Sequence, residues 1–129
     1  MTGRSRFTIL AKGLRRKRGE RNKNEALYEL HLANERDAGR VKDWWFEPMS
    51  LRLSECDEGQ PLRYTPDFMV LATDGTVYMD DLKSAGRNGK NFDDPAALVR
   101  IKTAADRYPL FVFRIVRQVK GVGFERREV

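Results

Sequence analysis

Two β-forming runs, residues 62–72 and 77–83, flank the segment Thr73-Asp74-Gly75-Thr76. An Asp-Gly pair between such runs is a hairpin signal, so the two runs are expected as adjacent antiparallel strands. That pairing decides where the chemistry-bearing residues fall. Thr65-Pro66-Asp67 lies in the first run and Asp81-Leu82-Lys83 closes the second. Strand side chains alternate between faces, so Asp81 and Lys83 share one face while Asp80 and Leu82 take the other. Pro66 suits the start of a strand and fixes the approach to Asp67. Two carboxylates and an amine therefore converge at one end of a sheet.

The rest of the chain supplies a frame for this hairpin. Residues 23–38 read as a helix, with Asn22 as cap, Glu25 at the reciprocal position of a capping box, and Gly39 as a stop. At about 100° per residue, Ala26, Leu30 and Ala33 form one apolar arc, widened by Leu27, and Tyr28 and Leu32 form a second. Glu25 and Glu29 lie in the gap between them and are held near the protein body. Residues 41–54 read as a turn into a strand, because Met49, Leu51 and Leu53 alternate with polar residues. Asp94-Pro95 opens a second helix running to Arg107 or Tyr108, which Pro109 stops. Residues 110–117 read as a central strand and 124–129 as a final edge strand. The expected fold is α/β (α+β), a mixed sheet flanked by helices in the order α-β-β-β-α-β.

Hydrolysis of a phosphodiester needs an activated water, a Lewis acid beside the phosphate and stabilisation of the leaving oxygen. Mg²⁺ prefers one or two carboxylates, with its remaining ligands from water and phosphate. Asp67 and Asp81 can bracket such an ion, with Mn²⁺ as a substitute, and the Leu82 carbonyl can complete the protein's share. Lys83 then stands beside the attacking water, either to orient or deprotonate it or to neutralise transition-state charge. Asp80, on the opposite face, is left as a hydrogen-bonding partner.

The chain has 129 residues, which suits one domain, and no apolar run approaches the roughly 18 residues needed to span a bilayer. Cys56 is the only cysteine. It excludes an internal disulfide and a cysteine-based zinc cluster and fits a reducing cytoplasm. Residues 1–23 hold nine Lys/Arg against one acid, Glu20. That is +8 against +6 for the whole chain, so residues 24–129 carry −2. Residues 1–22 are expected as a basic arm on a domain of residues 23–129. In the arm, Arg15, Arg16, Lys17 and Arg18 neutralise phosphates and gain from counterion release. Arg87 and Lys90, in the loop after Lys83, and Lys102 on the second helix are further candidate phosphate contacts.

The pattern Asp67…Asp81-Leu82-Lys83, preceded by a helix bearing Glu25, resembles the PD-(D/E)xK nuclease superfamily. The string Asn24-Glu25-Ala26-Leu27-Tyr28-Glu29-Leu30, the Ala38-Gly39-Arg40-Val41 turn and Glu47-Pro48…Leu51 are similar to small phage-encoded members of it. The resemblance covers residues 22–117, with Asp81 standing where glutamate is commoner. It implies a restriction-endonuclease-like core and a catalytic set of Glu25, Asp67, Asp81 and Lys83, with Glu25 joining the metal ligands. It also implies a metal-dependent endonuclease of the Holliday-junction resolvase type, working as a homodimer on branched DNA in a bacterial host's cytoplasm.

Other residues carry less. Glu29 is one turn from Glu25 and can replace or assist it. Trp44-Trp45 either wedges into a DNA branch point or anchors a loop to the core. His31 reads as a surface or satisfied helix residue. The alternatives to a self-sufficient nuclease are a non-catalytic nucleic-acid-binding or regulatory protein on a nuclease scaffold, and a nicking or end-processing subunit that needs a partner.

Overall fold

The computed structural model describes residues 21–54, 59, 61–83, 94–119 and 123–129. Helix α1 (Lys23–Asp37) begins with the expected capping box: the Glu25 N–H donates to Asn22 Oδ1 at 2.8 Å, and the Asn22 N–H donates to Glu25 Oε1 at 2.9 Å. Ala38 caps the other end, and Gly39 turns the chain away at φ 86°, a conformation that a side chain disfavours. Helix α2 (Pro95–Arg107) opens on Asp94, whose side chain accepts from the Ala96 N–H, and ends at Tyr108.

The strands are β1 (Val41–Phe46), β2 (Leu51–Arg52), β3 (Arg63–Tyr64), β4 (Phe68–Ala72), β5 (Val77–Lys83), β6 (Val112–Val119) and β7 (Gly123–Glu128). Five of them form one mixed sheet, in the order β1-β4-β5-β6-β7, while β2 and β3 form a separate small sheet. The β4–β5 hairpin is antiparallel as expected, and Gly75 in its turn has φ 93°. The β5–β6 pair is parallel, which requires the crossover that α2 provides. The fold is thus mixed α+β, with two helices and a mixed five-stranded sheet.

Three expectations about the elements are corrected. The run 62–72 is not one strand, because Pro66 lacks an N–H and restricts Thr65, so the ladder breaks there. Its first part joins the small sheet and its second part the large one. The strand expected around Met49–Leu53 shrinks to Leu51–Arg52, and the full strand lies earlier, at β1. Between them Glu47 adopts φ 44° and Pro48 follows, which stops β1 from continuing. In α1 the Ala26-Leu30-Ala33 arc does not face the core: Leu30 is 60 % exposed, and Tyr28, Leu32 and Glu35 are the buried residues.

Each face of the large sheet carries its own core. Tyr28 and Leu32 of α1 pack with Val41, Phe68, Val70 and Val116. Ile101 and Ala104 of α2 pack with Leu51, Leu53, Tyr64, Met79, Phe113 and Ile115. The small sheet is thereby joined to the α2 face. The C-terminal end of β5 and the N-terminus of α1 meet at one end of this arrangement, and there the candidate residues gather. Among the described residues no helix is long and apolar enough to cross a membrane.

Candidate active site

A hollow of about 200 Å³ opens where α1 begins and β5 ends, lined by Asn22, Asn24, Glu25, Asp67, Leu82 and Lys83. Three of the four predicted catalytic residues thus share one cavity. Glu25 reaches it from the first turn of α1 while one of its oxygens completes the capping box, so both readings of this residue hold geometrically. Asp67 precedes β4, and its backbone is pinned on both sides: its N–H donates to Asp80 O at 3.0 Å, and its carbonyl accepts from the Glu47 N–H at 2.8 Å. Its side chain accepts from the Leu82 N–H at 2.7 Å. Leu82 therefore meets Asp67 through its amide, and its side chain packs toward the α1-side core as expected.

Asp81 stands just outside the lining, behind Lys83. Lys83 Nζ lies 2.8 Å from Asp81 Oδ2, which bears out the shared face derived from strand alternation. The approach is not aligned as a hydrogen bond, so Oδ2 is buried without a hydrogen-bond partner. The other oxygen, Oδ1, accepts from the Tyr64 hydroxyl at 3.1 Å.

Burial and neighbouring carboxylates shape the electrostatics of this corner. Burial pushes the Asp67 carboxyl up to about 7, and the negative charges of Asp81, Glu25 and Glu47 add to the rise against the Leu82 hydrogen bond. Tyr64 is pushed far above its ordinary value, first by burial and then by Asp81 and Asp67, so its proton stays in place as a donor.

Among the described residues no three His, Cys, Asp or Glu side chains form a group able to hold a metal ion. Mg²⁺ does not require such a group, since one or two carboxylates suffice. Asp81 Oδ2, buried without a hydrogen bond though ion-paired to Lys83, and the mutual repulsion around Asp67 are features that a hard cation relieves. Asp67 in the cavity and Asp81 just outside it are the carboxylates that fit such an ion, with Glu25 also lining the cavity.

The opposite face of β5 is built differently. Asp80 is fully buried and accepts a forked pair from Arg114, Nε to Oδ1 and Nη2 to Oδ2, both at 2.7 Å. The Tyr28 hydroxyl donates to Asp80 Oδ2 as well. Arg126 of β7 continues the network, donating to the Tyr28 oxygen and, at 3.0 Å through Nη1, to Glu35. Asp80 is thus committed to structure, as its parity suggested. A larger hollow, about 340 Å³, lies at the far end of α1 against these groups. Its guanidinium groups from Arg114 and Arg126 are already engaged with Asp80 and Glu35.

Of the remaining candidates, Glu29 does not join the cavity: Arg21 and the Trp44 indole N–H both donate to its Oε2, at 3.0 and 2.9 Å. Trp44 is accordingly an anchor, while Trp45 is 42 % exposed. His31 stacks on Tyr28, with Nε2 3.8 Å from Glu35 Oε2, and does not line the cavity. Lys102 is exposed on α2 and does not line the cavity. Arg15, Arg16, Lys17, Arg18, Arg87, Lys90 and Cys56 lie outside the described residues. The sequence does not single out Tyr28 and Tyr64 as functional. Their only signal there is a phenol on an apolar stretch, which needs a partner when buried.

The chain matches no known family, no curated protein and no solved structure. What fold and site define together is a mixed α+β domain with two carboxylates and a lysine at the open end of its hairpin.

Proposed function

We propose that the chain is a Mg²⁺-dependent DNA endonuclease of the PD-(D/E)xK kind, with a restriction-endonuclease-like core. The observation that carries this reading is the convergence of Glu25, Asp67 and Lys83 on one cavity, with Asp81 held against Lys83. When bound, Mg²⁺ or Mn²⁺ supplies a Lewis acid for the scissile phosphate and draws it to an otherwise acidic corner. Asp67 and Asp81 are the residues that hold the ion, and Glu25 assists from α1. Lys83 orients or deprotonates the attacking water, or neutralises charge as the phosphate passes through its transition state. The Leu82 N–H keeps the Asp67 carboxylate in place.

Preference for branched DNA and action as a homodimer are part of this proposal. They rest on the family resemblance and on symmetry, because two opposed sites at fixed separation are what a junction needs. The deciding experiment incubates the protein with linear, flapped and four-way DNA in Mg²⁺ and in EDTA. Mg²⁺-dependent strand cleavage is expected, with the four-way substrate cut fastest. Binding of DNA without cleavage in either Mg²⁺ or Mn²⁺ would replace this reading with that of a non-catalytic binding protein.

A further inference from the structure

The small β2–β3 sheet has no role in the chemistry so far, yet it delivers one buried polar group to the site. Tyr64 ends β3, packs in the α2-side core with Leu51, Leu53 and Phe113, and is 7 % exposed. Its hydroxyl crosses to the large sheet and donates to Asp81 Oδ1. A phenylalanine would fill the same volume in that cluster; the extra oxygen is accommodated because Asp81 accepts its hydrogen bond.

The consequence is an asymmetry in the carboxylate. Oδ1 is occupied by the phenol, and Oδ2 is buried without a hydrogen bond, ion-paired to Lys83 Nζ at 2.8 Å, a contact that an arriving cation would have to displace. We infer that Tyr64 is a positioning residue for divalent-cation binding, fixing the Asp81 carboxylate so that Oδ2 alone is presented to the ion. This inference rests on the nuclease reading for its biological purpose, though not for its geometry. The small sheet thereby braces one ligand of a site whose other groups come from α1 and the large sheet. Partners of this kind orient the ligating oxygen and set its donor strength, and their loss typically weakens metal affinity or activity by ~10–100-fold.

The test is Mn²⁺ binding followed by electron paramagnetic resonance, with Asp81→Asn identifying the site and cleavage measured separately. Tyr64→Phe keeps the ring and its packing. Its Mn²⁺ dissociation constant should rise ~10–100-fold, with the KM for DNA unchanged. Leu53→Ala loosens the same apolar cluster without touching the phenol and should leave Mn²⁺ affinity as in the wild type. Mn²⁺ affinity of Tyr64→Phe within twofold of wild type overturns the inference, as does an equal weakening in Leu53→Ala. A wild type that binds Mn²⁺ through Asp81 and loses affinity in Tyr64→Phe, yet cuts no DNA, upholds Tyr64 and removes the nuclease reading. Cleavage with no effect of Tyr64→Phe removes the inference alone, and absence of Mn²⁺ binding in the wild type removes both.

Discussion

Asp80 and Asp81 are neighbours in β5, and each accepts a hydrogen bond from a tyrosine on the opposite side of the sheet from the other's: Tyr28 for Asp80, Tyr64 for Asp81. The two carboxylates nevertheless have different company. Asp80 is matched by the forked Arg114 guanidinium, whereas Asp81 keeps one oxygen without a hydrogen bond. One carboxylate is fully matched by hydrogen bonds and the next is not, and substitutions at the two should fail in different ways.

Asp80→Ala should be among the most damaging single changes. It leaves the Arg114 charge and the Tyr28 hydroxyl buried without their acceptor. Removing one partner of a buried ion pair costs about 3–5 kcal/mol. Urea unfolding of purified Asp80→Ala against wild type measures this; a loss below about 1 kcal/mol would show that Arg114 finds another acceptor or water.

Asp67 predicts a pH-dependent stability of unusual sign. Its carboxyl titrates at about 7 in the folded protein, mainly through burial, against an ordinary value near 4 when unfolded. Between those values folding takes up a proton, so the contribution of Asp67 to stability falls as pH rises from about 4 to 7 and is least favourable above 7. Asp67→Asn removes the titration and keeps an acceptor for the Leu82 N–H. In EDTA at about pH 8 the variant should be more stable than wild type by on the order of 2–4 kcal/mol, the gain vanishing toward about pH 4. A difference that does not change with pH would contradict the assignment.

Lys83→Ala should separate binding from catalysis. DNA and Mg²⁺ binding should persist while cleavage falls by ~10²–10⁴, the usual loss for a positioned proton-transfer or charge-stabilising group. Single-turnover rates on a labelled four-way junction provide the measure. Cleavage within a few-fold of wild type would exclude Lys83 from the chemistry.

A truncation lacking residues 1–20 should keep the fold, because Arg21, the first described residue, is tied to Glu29 and lies over the Phe46 ring, 4.4 Å from its centre. DNA affinity should drop, and its dependence on salt should flatten by ~0.9 in log–log slope for each duplex phosphate that the shortened chain no longer neutralises. An unchanged slope would assign the basic segment to something other than DNA.

The last prediction concerns assembly. Mixing wild-type and Asp81→Ala subunits should yield species that nick one strand of a junction without resolving it. A monomer in sedimentation, cutting linear and four-way DNA at equal rates, would remove the dimeric junction reading and leave the endonuclease reading in place.

Much of this architecture is legible in the sequence because it is local. The Asn22–Glu25 box, the Asp94-Pro95 start, the Asp74-Gly75 turn and the alternation of β5 each depend on residues a few positions apart. The opposed faces of Asp80 and Asp81 follow from that alternation alone. Misreadings arise where a short pattern imitates a longer element. Met49, Leu51 and Leu53 alternate like a strand, yet the chain around Glu47-Pro48 cannot extend β1 into them. What the sequence hides is the long-range polar pairing. Glu35 looks like a solvated helix residue until Arg126, 91 positions later, neutralises it; that pairing outweighs the cost of burial and holds its carboxyl below the ordinary value. Tyr64 and Asp81 meet only because Pro66 sends one run of chain into two sheets.

The reach of Arg126 also sets an order of events during synthesis. Tyr28 and Arg126 are 98 residues apart, so the helix carrying Glu25 gains this clamp only after β7 has been made. Closing so long a loop comes late, and contacts of this span slow folding. A nascent chain emerging from the ribosome would hold Asp67, Asp81 and Lys83 on a formed hairpin before the first helix is locked beside them. The first helix packs on earlier strands through Tyr28 and Leu32, but its clamp to β7 closes only once Arg126 has emerged.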